Sequence, residues 1–382
     1  NIETILKKYD DESLKSLFVD NRLDIVVKEI DGSNEELQKE ADIMCKLGMH
    51  SNIVSLIGIG IGKDEDVIER IYIQYCIFGD LEELLLNPTK KLSDEKYKGF
   101  LNDNRLNDET KKYMSLDIAL GLEYIHSKDI IHRDLACRNI FVTHGLICKI
   151  GDFGLSCDSN NADECTPKKI IKLPIKWVSP EFFEFNFKGE FYKFNKKSDI
   201  WSYGLILFEI YSEELPYSTI ENSEVIDDHA KYIEEDNGYL FTPLQCYHDY
   251  DSNKLIEFYN KVDYKMILLM NMCWGSGIIP IYNYYNKNIV TYFSQSVTNN
   301  KTLSEIVSIL QNKTEFSTKK IKPKIIIYKK KPEIIIYKKK PKIKPKIIIY
   351  KKIKPEIIIY KKYVEGAFGL LLSEAQYNNF NN

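Results

Sequence analysis

The chain has 382 residues, and its hydrophobic fraction of 44% suffices for one large two-lobed domain or two medium ones. No run of about 18 apolar residues exists to span a bilayer and no secretory leader pattern opens the sequence, so no membrane span is expected within these residues. The formal charge of −3 conceals a division: residues 319–362 carry 18 Lys against only Glu333 and Glu356, a charge of +16, which leaves −19 on the remainder.

Taken in order, LDIVVK at 23–28 is a short run of branched residues and predicts a strand. GSNEELQKEADIMCKLG follows, with Ser33 or Asn34 as helix cap and acids in the first turn. Leu37, Ile43, Met44 and Leu47 recur at helical spacing. IVSLIGIG and IERIYIQYC predict further strands, so residues 1–76 form a small strand-rich unit with one helix. From Asp80 the pattern turns helical, as in DETKKYMSLDIALGLEYIHSK at 108–128. Two short strands bracket IIHRDLACRNIF and the KIGDFG after it. WSYGLILFEIY is apolar on nearly every face and predicts a buried helix. Copies of PKIIIYKK or PEIIIYKK begin at Pro323, Pro332, Pro345 and Pro355. Their irregular spacing argues against a solenoid, and Pro and Lys interrupt each strand-forming IIIY, so residues 316–382 are expected to be extended or disordered. The eight Cys show no C-x-x-C or C-x-x-H spacing and read as reduced thiols in a reducing, cytoplasmic compartment.

The segment 130–141 places a carboxylate, Asp134, five residues before a carboxamide, Asn139, behind a His-Arg pair. Phosphoryl transfer needs a carboxylate at the attacking hydroxyl and oxygen ligands for Mg²⁺ on a rigid loop. Asp134 suits the first role and Asn139 the second. Asp152 of DFG supplies another metal ligand, with Phe153 to pack and Gly154 to permit an unusual turn. Lys28, at the end of its strand, can reach phosphates, and Glu40 on the next helix can hold it.

From about residue 23 to 312 the chain resembles a protein kinase. The residues that carry the resemblance are VVK at 26–28, KEADIM at 39–44, HRDLACRN at 132–139, DFG at 152–154, PIKWVSPE at 174–181 and SDIWSYGLILFEI at 198–210, all in family order. It implies a bilobal α+β kinase fold: a kinase-like domain at 1–315, with a small lobe to about 76 and a larger, mainly helical lobe from 77, then the basic tail. It implies ATP and Mg²⁺ as cofactors and protein hydroxyls as substrate. Lys28, Ile73, Gln74, Cys76, Asn139 and Asp152 would bind nucleotide and metal; Ile73 would be the gatekeeper, and backbone groups of Gln74 and Cys76 would meet adenine beside Tyr75. Asp199 would brace the catalytic loop. Ala136 stands where Ser/Thr kinases usually carry Lys, and Arg138 lies four residues after Asp134, the tyrosine-kinase pattern. PIKWVSPE, GYLFTPLQC at 238–246 and the Cys273-Trp274 pair resemble that class too. Tyrosine is therefore the expected acceptor, with Ser/Thr or dual specificity as alternative.

Four departures accompany the resemblance. The Gly-rich loop is missing from its place: LKKYDDESLKSLF at 6–18 has no glycine, and Asp10, Asp11 and Glu12 repel phosphate while Lys7, Lys8 and Lys15 offset part of that charge. VEGAFGLLLSEA at 364–375 resembles half of such a loop, far from Lys28 in sequence. Glu181 lacks the late Arg with which the family pairs it, since the five Arg end at Arg138, so a buried carboxylate there needs a Lys as substitute partner or weakens the lower lobe; TLSEIVSIL at 302–310, similar to the family's last helix, begins some 18 residues late. No Tyr lies between Asp152 and Glu181, which leaves Arg133 to pair with Asp158, Asp163 or Glu164, or Thr166 to serve as phosphosite. The alternative to an active enzyme is a pseudokinase scaffold. For the basic tail, repeat expansion without a selected role stands first. Docking on the acidic body, a polyanion partner, and phosphorylation of Tyr328, Tyr337, Tyr350 and Tyr360 are the alternatives; no specific nucleic acid is expected.

Overall fold

The computed structural model describes residues 25–29, 34–61, 68–102, 105–159, 164–165, 174–183, 193–235, 241–275, 278–283, 288–293 and 302–311. The glycine-free stretch at 6–18, Asp163, Thr166, the IIIY repeats and 364–375 lie outside the described residues.

The small lobe is a three-stranded antiparallel sheet in the order β1–β3–β2, from β1 (Ile25–Glu29), β2 (Leu56–Ile61) and β3 (Ile68–Gln74). Between β1 and β2 runs α1 (Asn34–Leu47), with Glu35 and Glu36 in its first turn and Lys46 in its last, as its dipole favours. Leu37, Ala41, Met44 and Leu47 recur on one face and are buried. Glu40 lies on this same face, which directs a carboxylate inward beneath the sheet.

Asp80 caps the short helix α2 (Leu81–Leu86) by accepting from the Glu83 amide, and Asn107 caps the long α3 (Asp108–Ser127) through the Thr110 amide. Five two- or three-residue strands follow: β4 (Ile130–Ile131), β5 (Ile140–Val142), β6 (Cys148–Ile150), β7 (Cys157–Asp158) and β8 (Glu164–Cys165). β4 pairs with β7, β5 with β6, and β8 with β9 (Phe194–Asn195). α4 (Lys196–Ser212) is the axis of the large lobe. Every residue from Ser198 to Tyr211 is buried, as a helix apolar on all faces requires, and a capping box of Asn195 and Ser198 fixes its start. α5 (Asn222–Glu235), α6 (Pro243–Tyr250), α7 (Ser252–Lys261) and α8 (Tyr264–Trp274) complete the lobe. α8 lies against α4 at Gly204, where a Cβ would sit 2.6 Å from Trp274 Nε1 and 2.9 Å from Cys273 Cβ. This close approach accounts for the Cys-Trp pair and for glycine opposite it.

A hairpin absent from the sequence reading, β10 (Ile278–Asn283) with β11 (Asn288–Phe293), lies between α8 and α9 (Leu303–Leu310). It accounts for the late start of α9, which packs against α3 and opens with a Thr302–Glu305 capping box. Two expectations fail. Glu181 is exposed, so no buried carboxylate is stranded for want of an arginine. Cys157 and Cys165 form a disulfide, against the expected reduced state of all eight cysteines; the other six are not disulfide-bonded.

Candidate active site

Lys28 on β1 reaches across to α1, its Nζ lying 2.9 and 2.7 Å from the two carboxylate oxygens of Glu40. The same Nζ is 3.0 Å from Asp152 Oδ1. Burial alone would lower the Lys28 pKa, but the Glu40 and then the Asp152 carboxylates raise it above the ordinary ammonium value. Burial pushes Asp152 up, and Lys28 more than reverses it, so its carboxyl sits below the usual range. Burial pushes the Glu40 carboxyl up, and Lys28 only partly offsets it, so Lys28 and Asp152 are the members whose charge the site reinforces. Asp152 keeps 45% of its side chain exposed, so the group faces open solvent rather than a closed core.

The loop after β4 is held from beneath. Asp199, at the start of α4 and 1% exposed, accepts from the backbone amides of His132 (2.8 Å) and Arg133 (2.9 Å) and contacts His126 Nε2 (2.9 Å). Burial would raise this carboxyl, but His126 foremost, then His132 and the Arg133 amide, keep it low. These bonds hold Arg133 at φ 69°, a left-handed conformation uncommon for a bulky residue and costing about 1–3 kcal/mol. Asn139 Nδ2 donates to the Asp134 carbonyl (2.7 Å) and to its Oδ2 (2.8 Å), and Arg138 Nη2 donates to Oδ1. The Asp134 carboxylate is thus fixed on both oxygens.

Gly151 joins the two halves. Its amide donates to the Asn139 carbonyl (3.0 Å), and its own carbonyl meets His132 Nε2 (3.1 Å). A Cβ on it would lie 2.8 Å from the Phe141 ring and 2.9 Å from Val54, so this position admits only glycine. The unusual backbone expected at Gly154 belongs instead to Asp152, at φ 58°; Gly154 has room for a Cβ, 3.6 Å from Asp152 Oδ1. Phe153 is fully buried and edge-on to His132.

Ile73 on β3 stands between Val26 and Leu56 and packs on the main core. Gln74 and Cys76 are buried and Tyr75 is exposed. The Gln74 amide already donates to the Ser55 carbonyl (2.9 Å), so it is not the donor for adenine, and the Cys76 carbonyl accepts from Gly79 (3.0 Å). Burial pushes the Cys76 thiol up to about 11, so it is no nucleophile.

Three contributors were not singled out in the sequence: Gly151, Trp177 and Glu209. Arg138 lies over the Trp177 ring, 4.7 Å from its centroid. Trp177 Nε1 donates to Glu209 Oε2 (3.0 Å), which also accepts from the Cys137 amide (3.4 Å). Burial pushes this carboxyl up to about 7 despite both donors. The available signal was a lone acid in the all-apolar run LILFEIY. Of the loop acids offered to Arg133, Asp158 reaches Lys46 and Glu164 reaches Lys193, while Asp163 lies outside the described residues; Arg133 Nε donates to the Leu155 carbonyl, and its guanidinium lies over the Phe194 ring.

The model of the protein tyrosine and serine/threonine kinase family matches residues 14–276. The chain belongs to the protein kinase family. Among curated relatives of this kinase domain, it is 34% identical over 214 residues to the tyrosine-protein kinase Src64B of Drosophila melanogaster, covering 54% of this chain and 34% of that protein. It is 32% identical over 229 residues to the tyrosine-protein kinase SPK-1 of Girardia tigrina, covering 58% and 41%. It is 29% identical over 347 residues to the mast/stem cell growth factor receptor-related protein Kit of Xenopus laevis, covering 74% and 33%. The kinase thus spans less than half the length of these relatives.

The donor set fits the family's usual cofactors. Mg²⁺ takes oxygen ligands and is commonly held by one or two protein oxygens plus substrate phosphates and water. Asp152, half-exposed, and Asn139, whose amide nitrogen is the end turned to Asp134, provide such oxygens. No cluster of three or more His, Cys, Asp or Glu that would cage a metal by itself occurs among the described residues. No described helix is long and apolar enough to cross a membrane.

Proposed function

We propose that the chain transfers the γ-phosphoryl group of ATP to tyrosine hydroxyls of proteins on the cytoplasmic side of the cell. The observation that carries this reading is the Lys28–Glu40–Asp152 contact triad joined through Gly151 to the Asp134–Arg138–Asn139 loop. When bound, Mg²⁺ and ATP supply the electrophile and neutralise its charge. Lys28, kept protonated and aimed by Glu40, holds phosphate oxygens. Asn139 and Asp152 hold the metal. Asp134, oriented by Arg138 and Asn139, takes the proton of the attacking hydroxyl, and Arg138 balances charge at the acceptor. A narrow crevice lined by Asp134, Pro174, Trp177, Ser179 and Phe194 lies beside that carboxylate, next to the 174–183 segment against which a peptide acceptor would lie. Arg138, stacked on Trp177 and bonded to Asp134, favours tyrosine over serine or threonine.

A second reading rests on the missing glycines of residues 6–18: a member that keeps the fold and acts as a scaffold. Thermal melting with and without ATP and Mg²⁺, together with phosphate transfer to a Glu/Tyr copolymer, separates the two. A raised melting temperature with transfer to tyrosine supports the enzyme; no shift and no transfer supports the scaffold.

A further inference from the structure

The segment after Asp152 has no tyrosine with which to be switched, and the guanidinium that would capture a phosphate is already engaged. Arg133 is 8% exposed, bonded to the Leu155 carbonyl and covered by Phe194 at 5.3 Å. What crosses this region instead is covalent. Cys157 pairs with Ile131 in the strand that leads into the catalytic loop, and Cys165 pairs with Phe194, the ring that covers Arg133. The Cys157–Cys165 bond, with Cα atoms 6.6 Å apart, therefore ties β4–β7 to β8–β9 on both sides of the loop. Cys165 belongs to a cluster with Ile131, Ile175, Val178, Phe182 and Phe194 that seats the 174–183 segment, and half-buried Cys157 packs against it. Of the six other cysteines five are buried, and Cys45 is exposed on α1 with no other cysteine bonded to it.

We propose that Cys157 and Cys165 are a reversible thiol–disulfide site that orders this segment in place of a phosphotyrosine, the bonded form being the more active. The oxidant is a small disulfide of the glutathione type. The Cys157 thiolate, the more accessible of the two, attacks one sulfur of that disulfide and releases the first small thiol. The Cys165 thiolate then attacks the Cys157 sulfur and releases the second. Two protein thiols and one small disulfide become one protein disulfide and two small thiols: two electrons and two protons move, and nothing else is consumed. A dithiol reverses it.

Only the rate readout rests on the proposed phosphotransfer, and the test keeps the two apart. The full chain is equilibrated across ratios of reduced to oxidised glutathione. Free thiols are trapped by alkylation and read by mass spectrometry, with amide exchange and copolymer phosphorylation measured in parallel. Cys157 and Cys165 are expected to lose alkylation together, while exchange slows at 130–133 and 193–195. Transfer should rise at least about fivefold, the lower range of ordinary site-to-site coupling. The serine variants C157S and C165S should behave as the reduced chain at every ratio; reduction of the unaltered chain by a dithiol gives the same comparison without substitution. Cysteines that stay alkylated throughout, or that each carry glutathione without bonding to one another, overturn the site. Pairing that leaves exchange and transfer unchanged overturns its regulatory role. Pairing that slows exchange while neither form transfers phosphate supports the site and overturns the proposed activity.

Discussion

Glu209 offers the sharpest test of how the large lobe is built. Its carboxyl sits inside α4 where every neighbour is buried; one oxygen serves Trp177 and Cys137, and the other has no partner among the described residues. Burial lifts it from 4.5 to about 7. A folded-state value above the unfolded one means the unfolded chain gives up its proton first, so stability is full below 4.5 and is lost as pH rises through 7. Between pH 5 and 8 the loss is about 2–3 kcal/mol. Glu209→Gln is close in shape to the protonated acid and keeps an oxygen for both donors, but never ionises. The two proteins should therefore be nearly equal in stability at pH 5, and the variant should be more stable by about 2–3 kcal/mol at pH 8. Urea unfolding followed by the fluorescence of the buried Trp201 and Trp274 at both pH values measures this. A stability difference that does not change with pH would refute the burial argument, because every contribution independent of that proton cancels in the comparison.

Lys28→Met removes the cation that joins Glu40 to Asp152 and should lower copolymer phosphorylation at least about 100-fold, with loss of the ATP-dependent melting shift; radiolabel transfer and thermal melting check both. Gly204→Ala drives a methyl group into Trp274 and Cys273 and should cost about 1–3 kcal/mol, read as a lower melting temperature. His229 is wholly buried, stacked on Phe183 and edge-on to Phe241, and burial lowers its pKa to about 3. Here the unfolded imidazole takes the proton first as pH falls below 6.5, so the chain should lose about 2 kcal/mol between pH 7 and 5 that His229→Phe does not lose, by urea titration.

The fold was legible where one periodicity ran long enough. α3 matches its predicted span because 20 residues of pattern leave little freedom, and α4 contains the predicted run at 201–211 but starts earlier, at Lys196, behind the Asn195 cap. The site residues were legible because a few chemically demanding types stand in order at short spacings. What escaped the sequence was contact between distant segments. Nothing local says that Gly151 must be glycine; Phe141 and Val54 say so, from other elements. Nothing local puts Cys157 beside Cys165, since two antiparallel strand pairs bring them together. Glu181 was judged buried by family habit, whereas its own helix start leaves it exposed.

The arrangement around Asp134 and Asp152 makes a stronger argument than any of its residues alone. Arg133 and Asp152 both adopt left-handed backbone that their side chains disfavour, and each is compelled by neighbours: Arg133 by Asp199 from below, and Asp152 by the bonds of Gly151 to Asn139 and His132. A chain that merely needed a stable core could satisfy His132, Asn139 and Asp199 with relaxed turns and hydrophobic side chains. Left-handed backbone at Arg133 and Asp152 and the buried carboxylate of Asp199 are retained together beside the segments that carry Asp134, Asn139 and Asp152. The bonds that enforce this run between described residues from 28 to 199, so the placement of these side chains is written into the interior of the domain; under the proposed activity, the absence of glycine from residues 6–18 would bear on how nucleotide is covered rather than on how they are aimed.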